Sequence, residues 1–342
     1  MRRAGPVLVI VCVAAAVALA FWLRGNSGSP SSPSTPVTTK DRIQKLKKQI
    51  AEQEAESTQA VADYAPASKV RIDDHNSSVA DLLRQLPGVV HVEGGVAATK
   101  PTNRIIHLRD WHYVPKDLFA IDMKQTHGRE LTADEIDRLY QELLLEVELV
   151  QIEQMAVLRC LVKHHGLKRL FSEGFSPNEL ENYKDRIAVL RAMDREQIPQ
   201  VRKQLEDVRS LIEGSTGERL EQAKVIEAQL VTLLDDHKYR LLEMGSAGRL
   251  LISGELGDVL PLEDAEALER AKPVTPSGGV KLDPQKIEVR HEAQVKLALK
   301  NGPVAVIVLG GAHDLTASVR RFGGEKCEYL RLTTKRFREI GE

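Results

Sequence analysis

A carboxylate and an imidazole two residues apart close the stretch Arg104 to Tyr113, RIIHLRDWHY. Ile105, Ile106 and Leu108 read as a short buried strand, and Asp110 and His112 emerge together at its C-terminal end. That spacing lets both groups share one rim, as metal binding or general-base chemistry requires. A second stretch, Val304 to Leu315, reads VAVIVLGGAHDL. Its apolar run has no polar alternation, so it reads as a strand covered on both faces. Gly310 and Gly311 then let the backbone turn sharply and bring His313 and Asp314 into the crevice where open α/β sheets bind ligands. A third strand, Leu167 to Phe171, runs into Ser172, Glu173 and Gly174. A carboxylate lodged there must have its desolvation offset by a cation, a metal or hydrogen bonds. Polar termini around His112, Glu173 and His313 thus follow three apolar strands, and one sheet can gather them all. Two of them also have a bland reading: a tight turn with an ordinary histidine at His313, and a salt-bridged surface loop at Asp110 and His112. His107, inside its strand, reads as a core histidine.

The elements between these strands are mostly helical. Thr132-x-x-Glu135 is a capping box, and Ile136, Leu139, Leu143, Val147, Val150, Val157 and Leu161 follow at three- and four-residue steps up to Gly166. The spacing predicts one helix about 50 Å long. His164 and His165 fall in its last turn, where cations complement the dipole. Ser176, Pro177 and Glu179 open a charged helical insertion over about 176–245, divided by Pro199 and by the turn at Gly214 to Gly217, with Ser215 and Glu218 opening its last helix. Such an insertion suits a lid or an oligomer interface. A short acidic helix is expected over Leu262 to Ala271, a surface loop over Lys272 to Gly279, and a helix capped by Asp283-Pro284 that carries Glu288, Arg290 and His291. Cys327 to Leu332 is expected as an edge strand, and Gly88 to Val92 as a strand ending at Gly94-Gly95. The fold class expected is therefore α/β, with a mixed, mostly parallel sheet flanked by helices.

The N-terminus carries a different message. Arg2 and Arg3 precede the uncharged stretch Ala4 to Leu23, which at helical rise spans about 30 Å and can cross a bilayer. Basic residues before it favour an N-in, single-pass anchor with the rest of the chain extracytoplasmic, on the periplasmic face of the membrane. Ala18-Leu19-Ala20 has the form of a cleavage site, so secretion after signal-peptide removal is the alternative. The domain scheme expected is an anchor or signal over 1–24, a flexible linker and short polar helix over 25–60, and an α/β domain over 61–342. Ile43, Leu46 and Ile50 on the polar helix make it either a solvated stalk or a coiled-coil stub pairing protomers in a homo-oligomer.

Composition excludes some classes. A net charge of −1 gives no electrostatic pull toward nucleic acid. Cys12, Cys160 and Cys327 lack metal-type spacing and read as unpaired thiols, although the compartment would permit a Cys160–Cys327 disulfide.

The order of strand-HLRDWH, long helix, strand-SEGF, helical insertion, the helix VRHEAQVKLAL and strand-VLGGAHDL resembles the superfamily that joins TraB and TIKI proteins, ChaN-type haem-binding lipoproteins and erythromycin esterases. Arg109-Asp110 stands where that family usually has Gly-Glu or Gly-Thr. The resemblance implies that His112 with Asp110 answers to the family's first motif, Glu173 to its glutamate, Arg290 to its helix arginine and His313 to its last histidine. In the TIKI-like form, His112, Glu173 and His313 hold a divalent zinc, manganese or cobalt whose hydroxide attacks an amide or ester of a peptide or small molecule. Glu173, His313, Arg290 and Asp110 then serve catalysis, Arg290 neutralising the oxyanion and Asp110 orienting an imidazole. Erythromycin esterases suggest a metal-free variant with a histidine as general base, and the ChaN branch a non-enzymatic carrier of haem or another ligand.

Overall fold

In this computed structural model the described residues are 39–67, 70–75, 79–96, 100–126, 130–272 and 283–341. The apolar stretch 4–23, the Ser/Pro/Gly tether and most of the loop expected over Lys272 to Gly279 lie outside them. Among the described residues no helix is long and apolar enough to cross a membrane.

In chain order the elements are α1 (Thr39–Asp63), α2 (Val79–Arg84), β1 (Val89–Val96), β2 (Asn103–Asp110), α3 (Lys116–Thr126), α4 (Ala133–His164) and β3 (Arg169–Ser172). They continue with α5 (Leu180–Ala192), α6 (Ile198–Glu213), α7 (Gly217–Ser253), β4 (Asp258–Pro261), α8 (Ala265–Arg270), α9 (Pro284–Lys300), β5 (Val304–Gly310), α10 (Thr316–Gly323), β6 (Cys327–Thr334) and α11 (Lys335–Gly341). The six strands form one sheet in the order β1-β6-β2-β5-β3-β4. Only the β1–β6 pair is antiparallel. The mixed, mostly parallel sheet expected from the apolar strand runs is therefore present.

Continuous burial along β2 and β5 has its cause in the layers on either side of them. One face of the sheet presents Ile106, Leu108, Val306 and Val308 to a core shared with α4. The opposite face presents Ile105, Ile307 and Leu309 to Val295 and Ala298 of α9 and Val319 of α10. α4 itself is buried nearly all round, and its Thr132–Glu135 capping box is formed as expected. Because β2, β3, β4 and β5 run parallel, their C-terminal ends lie on one side of the sheet, with Asp110 paired to Gly310, and Ser172 to both Val308 and Pro261.

Several sequence expectations are corrected. α1 is neither a solvated stalk nor a free coiled-coil stub. Leu46, Ile50 and Val61 bury against α4, each contributing about 1.5–3 kcal/mol, and Arg42 pairs with Glu142 and Glu146. β6 is internal and not an edge strand, since β1 adds to it beyond the expected end at Gly94-Gly95. The insertion extends to Ser253, its last helix starts after Thr216 with no side-chain cap in place of the expected Ser215–Glu218 box, and β4 was not anticipated. Cys160 and Cys327, by contrast, are free, buried thiols as expected.

Candidate active site

Four strand ends supply the cluster. β2 delivers Asp110 and, just past its end, His112; β3 delivers Glu173; β4 delivers Glu263; β5 delivers Gly310 and the loop to His313. The loop is fixed by backbone pairing from the Gly311 amide to the Asp110 carbonyl at 2.9 Å. Arg109 and Arg331 each donate to the Gly311 carbonyl at 3.1 Å.

His112 lies between two carboxylates. Its Nδ1 is 3.0 Å from Asp110 Oδ2 and its Nε2 is 2.8 Å from Glu173 Oε2. The Nε2 contact is an ion-pair approach and not an aligned hydrogen bond, so this N–H is not committed to Glu173. Gln154 of α4, fully buried, donates to Asp110 Oδ1 at 2.7 Å and to the Arg109 carbonyl at 3.0 Å, which fixes the carboxylate that orients the ring. Burial opposes the charged imidazole, but the Glu173 and Asp110 carboxylates outweigh it and raise the His112 pKa to about 10. At neutral pH the ring is an imidazolium.

Glu173 is enclosed. Its Oε1 accepts from Arg290 Nη2 at 2.5 Å and lies 3.5 Å from His313 Nε2, while its Oε2 accepts the Gly310 amide at 2.8 Å. Burial alone would favour the neutral acid, yet His112, Arg290 and His313 together hold the carboxyl well below its ordinary range. Arg290 bridges onward to Glu263, which also accepts from Gln294 at 3.1 Å. Burial disfavours the Arg290 cation, and the Glu263 and Glu173 carboxylates outweigh that penalty and raise its pKa. Behind His313, its Nδ1 meets His291 Nε2 at 2.8 Å.

The cluster floors a cleft of about 1000 Å³, part of it open to solvent, that Asp110, His112 and Glu173 line from the sheet. Its far wall belongs to the insertion: Phe175 stacked on Tyr183 at 4.2 Å, the Arg186–Glu243 ion pair at 2.9 Å, and the backbone from Leu242 to Gly245. Gly245 interrupts α7 with φ 67° and ψ 178°, a conformation that suits glycine, and Gln151 braces the break by donating to the Leu242 carbonyl at 2.8 Å.

All five residues singled out in the sequence, Asp110, His112, Glu173, Arg290 and His313, come together, but not in equal positions. The first three face the cleft. Arg290 and His313 stand behind Glu173, 1% and 2% exposed, so Arg290 is not placed to meet an oxyanion in the cleft. Glu263, Gln154, Gln294 and His291 escaped sequence reading. Of these only Glu263, in Pro261-Leu262-Glu263, had a signal of the kind used for Glu173, and its strand went unread.

A dication shared by His112, Glu173 and His313 needs three lone pairs directed at one point. Both Glu173 oxygens already meet cations or N–H donors, and the Arg290 guanidinium touches the very carboxylate that would bind the ion. Among the described residues no group of three His, Cys, Asp or Glu side chains is arranged to hold a metal ion. As placed, the three do not fit a shared metal, and the guanidinium supplies the compensating charge. His107, as expected, is a satisfied core histidine, bonded to Tyr329 and the Leu309 carbonyl at 2.9 Å each. No family model, curated protein or solved structure matches this chain.

Proposed function

We propose that the cleft is the active site of an acid–base hydrolase acting on a carbonyl substrate, an ester or an amide of a peptide or small molecule. One observation carries the reading: an imidazole held between the carboxylates of Asp110 and Glu173 on the floor of an open cleft. His112 gives its Nε2 proton to the leaving oxygen or nitrogen. A water beside Glu173 attacks the carbonyl carbon, and its proton returns through Glu173 to His112 across the 2.8 Å contact, so the array ends as it began. Asp110, fixed by Gln154, keeps Nδ1–H in place, and Arg290 keeps Glu173 ionised. The residues that support this reading are also those of the resemblance to erythromycin esterases, the metal-free branch of that superfamily. The apolar run 4–23 supports a body tethered outside the cytoplasmic membrane.

The test is hydrolysis of p-nitrophenyl acetate and of peptide p-nitroanilides by the full chain in detergent. His112→Ala and Glu173→Gln are expected to lower turnover by about 10² or more. Turnover that persists in both variants removes the reading, and a haem absorption band with no hydrolysis points to the carrier instead.

A further inference from the structure

Helices α6 and α7 form an arm of the insertion. α6 packs chiefly on α7 and on the π-helical turn before it, Met193–Gln197, and the chain reverses between them at Gly214 to Gly217. The buried residues of the arm are Ile198 and Leu205 on α6, and Ala223, Leu230 and His237 at seven-residue steps on one face of α7. Beside that face lies a second, uncovered stripe. Ile226 and Leu233, seven residues apart, are 45% and 52% exposed, and the neighbouring Val225 is 58% exposed. Gln222 and Gln229, also seven apart, are exposed between them.

The steps Arg219, Gln222, Ile226, Gln229, Leu233, Asp236 alternate three and four residues, which is the a and d pattern of a coiled-coil seam. At helical rise the seam is about 26 Å long, and α7 stays helical along all of it, since its break comes later at Gly245. No charge interrupts the stripe between its two ends, whereas the far flank of α7 carries Glu221, Lys224 and Asp235. A seam of this composition is completed by another helix. α1, expected to pair protomers, is already packed on α4, so the unpartnered heptad pattern belongs to α7.

The charges at the ends of the seam identify the occupant. Among the described residues neither Arg219 nor Asp236 has an ion-pair partner, and both are exposed. Parallel pairing of two copies would set Arg219 on Arg219 and Asp236 on Asp236. Antiparallel pairing about the midpoint between Ile226 and Gln229 sets Arg219 against the partner's Asp236 at both ends. The same register places Ile226 against the partner's Gln229, Leu233 against the partner's Gln222, and Val225 beside the partner's Thr232, with no like charges opposed in the seam. Gln222 already donates to Glu218 at 3.2 Å, which leaves its methylenes to cover Leu233. Residue 237 of one copy then lies level with residue 218 of the other, so each body sits past the tip of the other's arm.

We propose that the arm is a self-association surface, through which two copies of this chain pair antiparallel along the Ile226–Leu233 stripe of α7. The pairing does not depend on the chemistry of the cleft.

The test is sedimentation of the full chain in detergent. A seam this short buries little surface, so a dimer is expected at about 100 μM and its dissociation on dilution. Ile226→Glu combined with Leu233→Glu, both at exposed positions, is expected to give a monomer with an unchanged melting temperature. Arg219→Asp and Asp236→Arg are each expected to weaken the dimer by about tenfold, because either reversal opposes like charges at both ends. The two reversals combined are expected to restore it. A monomer at every concentration overturns the proposal, as does a dimer that survives the paired glutamates. A dimer that the glutamates abolish but neither charge reversal weakens overturns the antiparallel register.

Discussion

Gly310 and His112 approach so closely that a side-chain carbon built on the glycine would lie 2.4 Å from His112 Nε2. The same glycine donates its amide to Glu173 at 2.8 Å. Gly310→Ala is therefore expected to push the imidazole off its contact with Glu173. Hydrolysis should fall by about 10² or more, while overpacking costs about 1–3 kcal/mol of stability. Turnover and chemical denaturation of the same preparation check this, and wild-type turnover would show that the contact does not matter.

The His112 pKa of about 10, against 6.5 for the free side chain, fixes a sign. Its contribution to stability is complete below about 6.5 and is lost as pH rises through about 10. Activity that needs the imidazolium should share the alkaline limb. A pH–rate profile, with His112→Gln as the control for stability, checks both, and a limb near 6.5 would mean that the two carboxylates do not hold the proton.

At the acid end the sign reverses. Burial pushes His107 and His291 down to about 3. Both are neutral in the folded chain at neutral pH. The stability they confer is present above about 6.5 and is lost as pH falls toward 3. Replacing His107 by Gln is expected to shallow that acid limb, as read by urea denaturation at a series of pH values.

Arg290 compensates two carboxylates in a site where it is 1% exposed. Arg290→Met removes the cation that Glu173 and Glu263 share, and a loss of about 3–5 kcal/mol is expected. Arg290→Met combined with Glu263→Gln should recover part of it, which a double-mutant cycle measures.

Because a guanidinium takes the position of compensating charge beside Glu173, chelation is expected to leave turnover and melting temperature unchanged. Metal analysis of the purified chain should find no ion at one per chain. Zinc, manganese or cobalt at that stoichiometry, lost on Glu173→Gln, would restore the metal reading of His112, Glu173 and His313.

Much of this architecture was readable because local and global signals agree. The Thr132–Glu135 box and the apolar steps after it mark α4, which ends at His164, close to the expected Gly166. The unbroken apolar run of β5 announces a doubly covered strand. Parallel pairing then makes strand ends converge, so Asp110, His112, Glu173 and His313 could be grouped before any coordinates. What stayed hidden depends on distant partners. α1 buries Leu46, Ile50 and Val61 against α4 and pairs Arg42 with Glu142 and Glu146, a hundred residues away. β4 is only four residues long and ends in Pro261, so Glu263 had no visible strand to stand on. Gln154 and His291 lie on helices whose periodicity marks a buried face without saying what it touches.

The two sides of the cleft differ in how freely they can vary. Asp110, His112 and Glu173 stand at strand termini whose spacing is locked by the sheet, whereas the opposing wall comes from one contiguous stretch between β3 and β4. Substitutions in that stretch, the Phe175–Tyr183 stack and the Gly245 break included, would reshape the cleft without moving the strand ends that carry Asp110, His112 and Glu173.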